Sequence, residues 1–289
     1  MHRFLLHNDR ICDAGERILS PGQVGLLSGW GVFSTIRVFD GVLFAFERHW
    51  ARMKRDAEKL NVPFPSEPGE LEQGLLRLVE ANNALNATLR VVVVRNRGGA
   101  WEGPGIERGY DIVAFTTATK DWGESVRLGL VKQARHAGSP FAGTKMLSWS
   151  FNLIWLEEAQ RRGYDEVVLL NERGEVSECT SANIFASYGS QVWTPPLSSG
   201  CLPGITRELL LGEVSAPGVT VGEKALLPAD LESADSVFIT STTRQLLPVD
   251  EINGSRLHRQ GSARELLQDA FSAYVDGYVT ARRAAALRR

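Results

Sequence analysis

The sequence is poor in the features that mark several large classes of protein. Its three cysteines, Cys12, Cys179 and Cys201, are odd in number and lack metal-ligand spacing, so they predict neither a disulfide framework nor a zinc site. They favour a reducing compartment, and we expect the cytoplasm. No apolar run is long enough to cross a bilayer, and the first residues lack the apolar core of a signal peptide. We therefore expect no membrane partner.

Signals for nucleic-acid, nucleotide and metal binding are also missing. The net charge of −2 gives no basic surface for nucleic acid. No Walker loop occurs, and no Gly-x-Gly-x-x-Gly follows a predicted strand. The histidines are scattered and do not cluster with cysteines, so no metal site is predicted. Because the apolar content of 43% is ordinary for a globular protein, any functional site has to be assembled from separate segments of the chain.

Hydrophobic patterns predict a mixture of strands and helices. The predicted strands near the start of the chain cover residues 3–6, 10–12, 32–38 and 42–46, followed by the buried run "LRVVVVR". The predicted helices cover residues 47–60, 70–84 and 149–162 and the C-terminal segment. In the third of these helices, the predicted apolar face carries Leu153, Leu156 and Ala159.

One stretch, Gly143–Arg207, holds most of the candidate chemical groups. It contains Lys145, Glu178 and Thr206. Thr206 follows a Pro-Gly pair at a predicted helix start, where free backbone N–H groups can bind an anion. The hydroxyl residues Thr240–Thr243 end a predicted strand and offer a second such place. In isolation, helix capping or loop hydrogen bonds would explain each of these two patterns.

Two further features have both a structural and a functional interpretation. Gly29 and Gly31 precede the strand predicted over 32–38; they either bend the backbone or let it pass close to a ligand. Arg52 lies beside the apolar stripe of the helix predicted over 47–60, where an arginine is more often a surface charge than a ligand. Neither feature identifies a function by itself.

The ordered motifs together resemble one family. They are "GVFSTIRVFDG", "HWARM", "TKMLS", "VSECTSANIF", "TPPL", "LPGITR" and "TSTTRQLLPV". The chain resembles the class IV, fold-type IV pyridoxal-phosphate enzymes, which include branched-chain and D-amino acid aminotransferases, (R)-amine transaminases and 4-amino-4-deoxychorismate lyases. The resemblance implies an α/β fold with a domain over 1–118, a linker over 119–125 and a second domain over 126–289. It also implies pyridoxal 5′-phosphate at the domain interface and a homodimer.

The resemblance assigns cofactor roles to several residues. Lys145 matches the lysine that forms the Schiff base and moves the substrate proton, a role that needs a lowered pKa. Glu178 matches the acid that pairs with the pyridine nitrogen. Arg52 matches a phosphate contact. The remaining phosphate contacts would be the backbone N–H groups of Ile205 and Thr206 and the hydroxyls of Ser241 and Thr242.

The substrate side departs from the better-known relatives. Many of them have Asn-Tyr where this chain has Ser148-Trp149. The loop "NRGGAWEGPG" lacks the Pro-Arg-x-His carboxylate trap of the D-amino acid enzymes. Arg90 is retained from the Tyr-x-Arg of branched-chain enzymes and is the candidate partner for the substrate carboxylate. The other candidate substrate residues are Arg95 or Arg97 as the loop alternative to Arg90, and Phe33, Trp30 and Trp101 as pocket lining.

We compare three candidate functions for this chain. The first is an aminotransferase that moves an amino group from a small-molecule donor to a 2-oxo acid in ping-pong half-reactions. The second is a 4-amino-4-deoxychorismate lyase, in which Thr35 would protonate or orient the leaving group. The third is a non-enzymatic scaffold, which the retained Lys145 and Glu178 disfavour.

Overall fold

The computed structural model describes residues 1–100, 102–257 and 260–287. They belong to two compact units. The first comprises Met1–Lys120, Thr144–Trp149 and Tyr278–Arg289, and the second comprises Asp121–Gly143 and Ser150–Gly277. Among the described residues, no helix combines the length and hydropathy needed to cross a membrane.

The first unit is built on an antiparallel sheet. Its elements are β1 (Phe4–His7), β2 (Arg10–Asp13), α1 (Val24–Ser28), β3 (Gly31–Phe39), β4 (Val42–Leu43), α2 (Phe46–Lys59), α3 (Pro68–Ala81), β5 (Ala87–Arg95) and β6 (Tyr110–Thr117). The described strands lie in the order β2-β1-β6-β5-β3-β4. The predictions for 3–6, 10–12, 32–38 and 47–60 are confirmed within one or two residues at each end. The strand predicted over 42–46 ends early, because Ala45 adopts a positive φ of 51° and Phe46 begins α2.

The two faces of this sheet differ. On one face, Ile36 pairs in register with Leu89, and both are buried in a core with Met53 of α2 and Leu75 of α3. On the other face, Thr35 pairs with Arg90, and both are half-buried. The alternation of side chains along β3 therefore sends Ser34 toward the helices and Phe33 to the opposite face.

The second unit is built on a mixed sheet. Its elements are β7 (Val126–Arg135), α4 (Ser150–Arg161), β8 (Glu166–Asn171), β9 (Val176–Cys179), β10 (Asn183–Tyr188), β11 (Gln191–Thr194), a 3₁₀ turn (Leu197–Ser199), α5 (Ile205–Gly212), β12 (Thr220–Glu223), α6 (Pro228–Ser233), β13 (Ser236–Ser241), β14 (Gln245–Ile252), β15 (Ser255–Arg256) and α7 (Ala263–Ala286). The described strands lie in the order β12-β11-β10-β13-β14-β7-β8-β9, with β15 beside β14. Strand β8 is buried along its whole length, as expected of a strand covered on both faces.

Helix α4 forms where it was predicted, but only part of its predicted inward face is buried. The buried residues are Asn152 and Ala159, whereas the side chain of Leu153 is 53% exposed. Asn152 turns inward because its amide bonds two polar partners, Arg135 and the carbonyl of Thr180. Hydrophobic spacing alone could not show that a polar side chain would be buried here.

The segment that carries Lys145 belongs to the first unit, whereas the family resemblance implies the second domain for it. Thr144–Trp149 is held there by main-chain hydrogen bonds to β3. The end of α7 also belongs to the first unit, where the Tyr278 hydroxyl donates to Glu47 at 2.7 Å. Such contacts decide which unit a segment belongs to, whatever its position along the chain.

Candidate functional site

The Lys145 segment extends the first sheet at the free edge of β3. The Lys145 carbonyl accepts the N–H of Phe33 at 3.2 Å, and the Leu147 N–H donates to the carbonyl of Gly31 at 2.9 Å. The carboxylate of Asp56, on α2, accepts the backbone N–H of Lys145 at 3.0 Å and is itself 1% exposed. Strand and helix together therefore fix the main chain of Lys145 on both sides.

Gly29, just before β3, and Gly31, its first residue, are both needed for this arrangement. A Cβ at Gly31 would overlap the carbonyl of Val93 and approach Leu147 Cδ1 to 2.6 Å. Gly29 has a φ of +62°, and a Cβ there would crowd Ser148. The close approach that these glycines allow is therefore to the lysine segment and to β5.

The Lys145 amine and the Arg90 guanidinium both lie close to one aromatic ring, that of Phe33. Lys145 Nζ is 4.5 Å from the centroid of the Phe33 ring, and Arg90 Cζ is 3.9 Å from the same centroid. Trp149 meets the Phe33 ring edge-on at 6.0 Å. No hydrogen bond or ion pair joins the Arg90 guanidinium to another described residue. Burial lowers the pKa of Arg90 without discharging it, so a cation with unused donors faces the Phe33 ring.

The other predicted substrate residues have structural partners. Arg95 donates to the carbonyls of Arg97 and Asn61 and stacks on Trp30 at 4.0 Å. The Trp30 indole N–H donates to the carbonyl of Leu60 at 2.7 Å. Arg97 forms an exposed ion pair with Glu102, and the predicted lining residue Trp101 lies outside the described residues. Arg90 is therefore the better placed of the candidate arginines.

Arg52 belongs to a buried polar group between α2 and β3. Its Nη2 donates to Ser34 Oγ at 2.8 Å, and Ser34 Oγ is 2.7 Å from His49 Nδ1. All three side chains are at least 95% buried. Burial, together with the positive charges of Arg52 and Lys145, holds the pKa of His49 well below 6.5. The imidazole is therefore neutral at physiological pH.

In the second unit, Glu178 is held by two donors. One carboxylate oxygen accepts Arg135 Nε at 3.0 Å, and the other accepts the backbone N–H of Leu202 at 3.0 Å. Arg135 also donates to Asn152 of α4. Each carboxylate oxygen has a second acceptor position. Glu178 is thus oriented by its neighbours and can still accept a hydrogen bond from a ligand.

Helix α5 begins without a side-chain cap. Ile205 and Thr206 are the first two residues of the helix. The N-cap residue before them, Gly204, has no side chain that could cap the helix. The first backbone N–H groups of the helix can therefore bind an anion. A Cβ at Gly204 would overlap Asn183 Oδ1, and Asn183 also donates to the carbonyl of Leu202 at 2.8 Å. Asn183 therefore fixes the turn that leads into the helix.

The hydroxyl residues Thr240–Thr243 lie at the turn between β13 and β14. Thr240 Oγ1 is buried and has no hydrogen-bond partner among the described residues, while Ser241 and Thr242 are half-buried. The next residue, Arg244, forms a buried ion pair with Glu166 at 3.2 Å and donates to the carbonyl of Ser181. The ion pair fixes the end of the turn against β8, and the bond to Ser181 fixes it against the loop after β9.

Several residues of these groups were not recognised in the sequence: Asp56, His49, Arg135, Asn152 and Arg244. The only usable signal was on α2, where His49, Arg52 and Asp56 recur at three- and four-residue spacing and share a face. Arg135 and Arg244 are single arginines within strand-like patterns, and nothing local distinguishes them.

Taken by itself, each unit carries groups that suit a phosphorylated aromatic aldehyde with a basic ring nitrogen. The first unit offers an amine, Lys145, and a buried guanidinium, Arg52. The second offers the Glu178 carboxylate, the uncapped start of α5 and the hydroxyl turn with the orphaned Thr240 Oγ1. Amine, carboxylate and anion-binding donors are the functional groups that pyridoxal 5′-phosphate requires.

Comparison with known proteins points the same way. The family model described as "Amino-transferase class IV" matches residues 31–252. The chain is 29% identical over 273 residues to a putative branched-chain-amino-acid aminotransferase of Methanocaldococcus jannaschii, covering 91% of this chain and 93% of the relative. It is 28% identical to the D-alanine aminotransferase of Bacillus licheniformis, covering 88% and 89%. The solved branched-chain amino acid aminotransferase of Escherichia coli has the same fold, with a TM-score of 0.86, 24% identity and 96% of both chains covered.

Proposed function

The chain belongs to the class IV aminotransferase family, and we propose that it transfers an amino group between an amino acid and a 2-oxo acid in ping-pong half-reactions. Enzymes of this family depend on pyridoxal 5′-phosphate. Family membership and the donor set of both units support the same cofactor here. The relatives named above act on different amino acids, so the substrate has to be inferred from this chain's own side chains.

One observation carries the proposal: Lys145 Nζ and the Arg90 guanidinium both lie on the Phe33 ring. An amino acid needs an amine-exchanging group and a cation for its carboxylate within the reach of one small molecule. Arg90 supplies the cation and keeps its donors available. Phe33 and Trp149 supply an apolar surface that favours a donor with an apolar side chain.

The residues of the chain divide the work as follows. Bound pyridoxal phosphate supplies an electron sink for the electron pair of the substrate bond that breaks. Lys145 would hold the cofactor covalently through Nζ between turnovers, and the same amine would accept the proton that leaves the substrate Cα. Arg90 would orient the substrate by bonding its carboxylate.

The remaining groups would hold the cofactor. Glu178, oriented by Arg135, would accept a hydrogen bond from the protonated pyridine nitrogen. Arg52, the N–H groups of Ile205 and Thr206, and the hydroxyls of Ser241 and Thr242 would bind the phosphate. The uncapped start of α5 supports the assignment of Ile205 and Thr206.

We further infer that the protein is a cytoplasmic homodimer. Three side chains of α4 support association with a second copy, because Phe151, Leu153 and Ile154 are 70%, 53% and 51% exposed. Light scattering after size exclusion, with Phe151→Ser as the variant, tests this state.

The proposed reaction is tested with a panel of amino donors. Purified protein loaded with cofactor is mixed with L-amino acids, D-amino acids and amines in a stopped-flow instrument, and 2-oxoglutarate is then added as acceptor. We expect transfer from at least one amino acid with an apolar side chain. Pyruvate release from 4-amino-4-deoxychorismate without any acceptor, and no transfer in the panel, would instead identify a lyase.

A further inference from the structure

The buried group of Arg52, Ser34 and His49 has a feature that the proposed function does not use. His49 Nε2 is fully buried and has no hydrogen-bond partner among the described residues. Buried ring nitrogens are normally hydrogen-bonded, so one without a partner calls for an explanation. One explanation is that a ligand atom supplies the missing hydrogen-bond partner.

The proton positions in this group follow from its connections. The Arg52 guanidinium can only donate, so Ser34 Oγ is the acceptor in that bond. The Ser34 side chain has one other hydrogen-bond contact in the described chain, His49 Nδ1 at 2.7 Å. The hydroxyl hydrogen is therefore satisfied only if Ser34 donates to Nδ1. A neutral imidazole that accepts at Nδ1 carries its own hydrogen on Nε2, so the orphaned atom is a buried N–H donor.

The surroundings of this donor select an anionic acceptor. Arg52 lies one helical turn away on the same face of α2 and is bridged to the ring by Ser34. The ring also senses the positive charge of Lys145. His49 lies in the first turn of α2, where the helix dipole adds positive potential. A negatively charged oxygen gains from all three contributions, whereas a neutral acceptor gains little.

We propose that His49 binds the cofactor phosphate through Nε2–H, next to Arg52, with Ser34 fixing the ring in the donating tautomer. This inference rests on the proposed function, because it takes the anion at Arg52 to be the phosphate of pyridoxal 5′-phosphate. In this arrangement the Ser34 hydroxyl couples two phosphate contacts, so that each fixes the orientation of the other.

Two substitutions of His49 distinguish the hydrogen bond at Nδ1 from the one proposed at Nε2. His49→Asn places an amide near Nδ1 and keeps a partner for Ser34, but it removes the donor at Nε2. His49→Gln reaches farther and places an amide N–H near Nε2. His7→Asn is the matched control, since His7 is a part-buried histidine of the first unit whose Nε2 lies 3.5 Å from Asp111.

The test measures binding to cofactor-free protein with three probes. Pyridoxal 5′-phosphate and pyridoxal are followed by fluorescence titration, and inorganic phosphate by the gain in melting temperature that it causes. For His49→Asn we expect a dissociation constant for pyridoxal 5′-phosphate about 10- to 100-fold higher, as for a lost hydrogen bond to a charged group. Pyridoxal, which lacks the phosphate, should bind unchanged. The gain in melting temperature from inorganic phosphate should shrink in His49→Asn, and His49→Gln should recover part of both effects.

Three results would overturn the inference, and one of them also bears on the function. If His49→Asn binds pyridoxal 5′-phosphate as tightly as the wild type, His49 does not contact the phosphate. If pyridoxal is weakened by the same factor, the residue acts on the ring or on the fold. If the wild-type protein does not bind pyridoxal 5′-phosphate at all, the proposed function fails and this inference fails with it. Should His49→Asn not fold, the same comparison is made with His49→Gln. If inorganic phosphate does not raise the melting temperature of His49→Gln at all, the proposal is contradicted.

Discussion

The two units hold their candidate residues in different ways. In the first, Lys145 is fixed by its own main chain, which bonds to β3 and to Asp56. In the second, Glu178 is fixed by side-chain charge, through Arg135 and the Leu202 N–H. The turn that carries Ser241 and Thr242 likewise ends on the buried pair of Arg244 and Glu166.

Because of this difference, substitutions in the two units should have different effects on activity and on stability. A side chain fixed through its backbone can be replaced without removing the contacts that place it, so substitution at Lys145 should affect chemistry alone. A side chain fixed by a buried ion pair leaves its partner charged and buried when it is removed. Substitutions in the second unit should therefore affect folding as strongly as activity.

The largest expected effect is on turnover. Lys145→Ala should lower kcat by roughly 10⁴-fold, because proton transfer and covalent attachment are both lost. Its melting temperature in the absence of cofactor should match the wild type. Lys132→Ala, an exposed lysine of β7, is the control and should keep its activity. A large loss of stability in Lys145→Ala would contradict the view that the backbone alone places this residue.

The second effect is on folding of the second unit. Arg244→Met leaves the Glu166 carboxylate, 1% exposed, without its cation, and should lower the free energy of unfolding by about 3–5 kcal/mol. The exposed pair of Arg127 and Asp165 is the matched control, and Arg127→Met should cost less than about 1 kcal/mol. Urea denaturation measures both. Equal effects of the two substitutions would show that the buried pair does not brace this unit.

A smaller effect is expected where Asp56 holds the lysine backbone. Asp56→Ala removes the acceptor of the Lys145 N–H and should lower kcat by about 10- to 100-fold through misplacement of the amine. Asp56→Asn keeps an acceptor oxygen and should lose less. Steady-state kinetics with one donor distinguishes them, and Asp13→Ala, on the exposed end of β2, is the control. If the two Asp56 variants behave alike, the charge of Asp56 matters and the hydrogen bond does not.

The smallest effect is a pH dependence of stability caused by His49. The pKa of His49 is held well below 6.5 in the folded protein, whereas the unfolded chain binds a proton below a pH of about 6.5. Folding therefore loses up to about 1.4 kcal/mol per pH unit as pH falls below that value. His49→Gln should remove this slope. Urea denaturation at pH 7.5 and 5.5 measures it, and an unchanged slope in the variant would show that other groups cause the acid loss.

The sequence allowed good predictions where the information is local. The hydrophobic patterns of residues 32–38 and 47–60 were enough to predict β3 and α2, and three residues of the apolar stripe on α2, Trp50, Met53 and Ala57, are buried. The motifs that contain Lys145, Glu178 and Thr206 are the basis for proposing these segments as the cofactor site. The roles of these three residues remain predictions that rest on the family.

The partners that position these residues could not be predicted. Asp56 and Lys145 are 89 residues apart in the chain, and Arg135 and Glu178 are 43 apart. No periodicity links such distant residues. The prediction that Leu153 lies on the inward face of α4 was wrong for the same reason, because Asn152 is buried there by hydrogen bonds to residues of other elements. Single polar side chains that pair over long distances leave no pattern in one sequence.

The most direct test of the central claim is to trap the cofactor on its lysine. Protein loaded with pyridoxal 5′-phosphate is reduced with borohydride, digested, and mapped by tandem mass spectrometry. We expect a phosphopyridoxyl group on Lys145 and none in Lys145→Ala. Modification of a different lysine, or no stable modification in the wild-type protein, would contradict it.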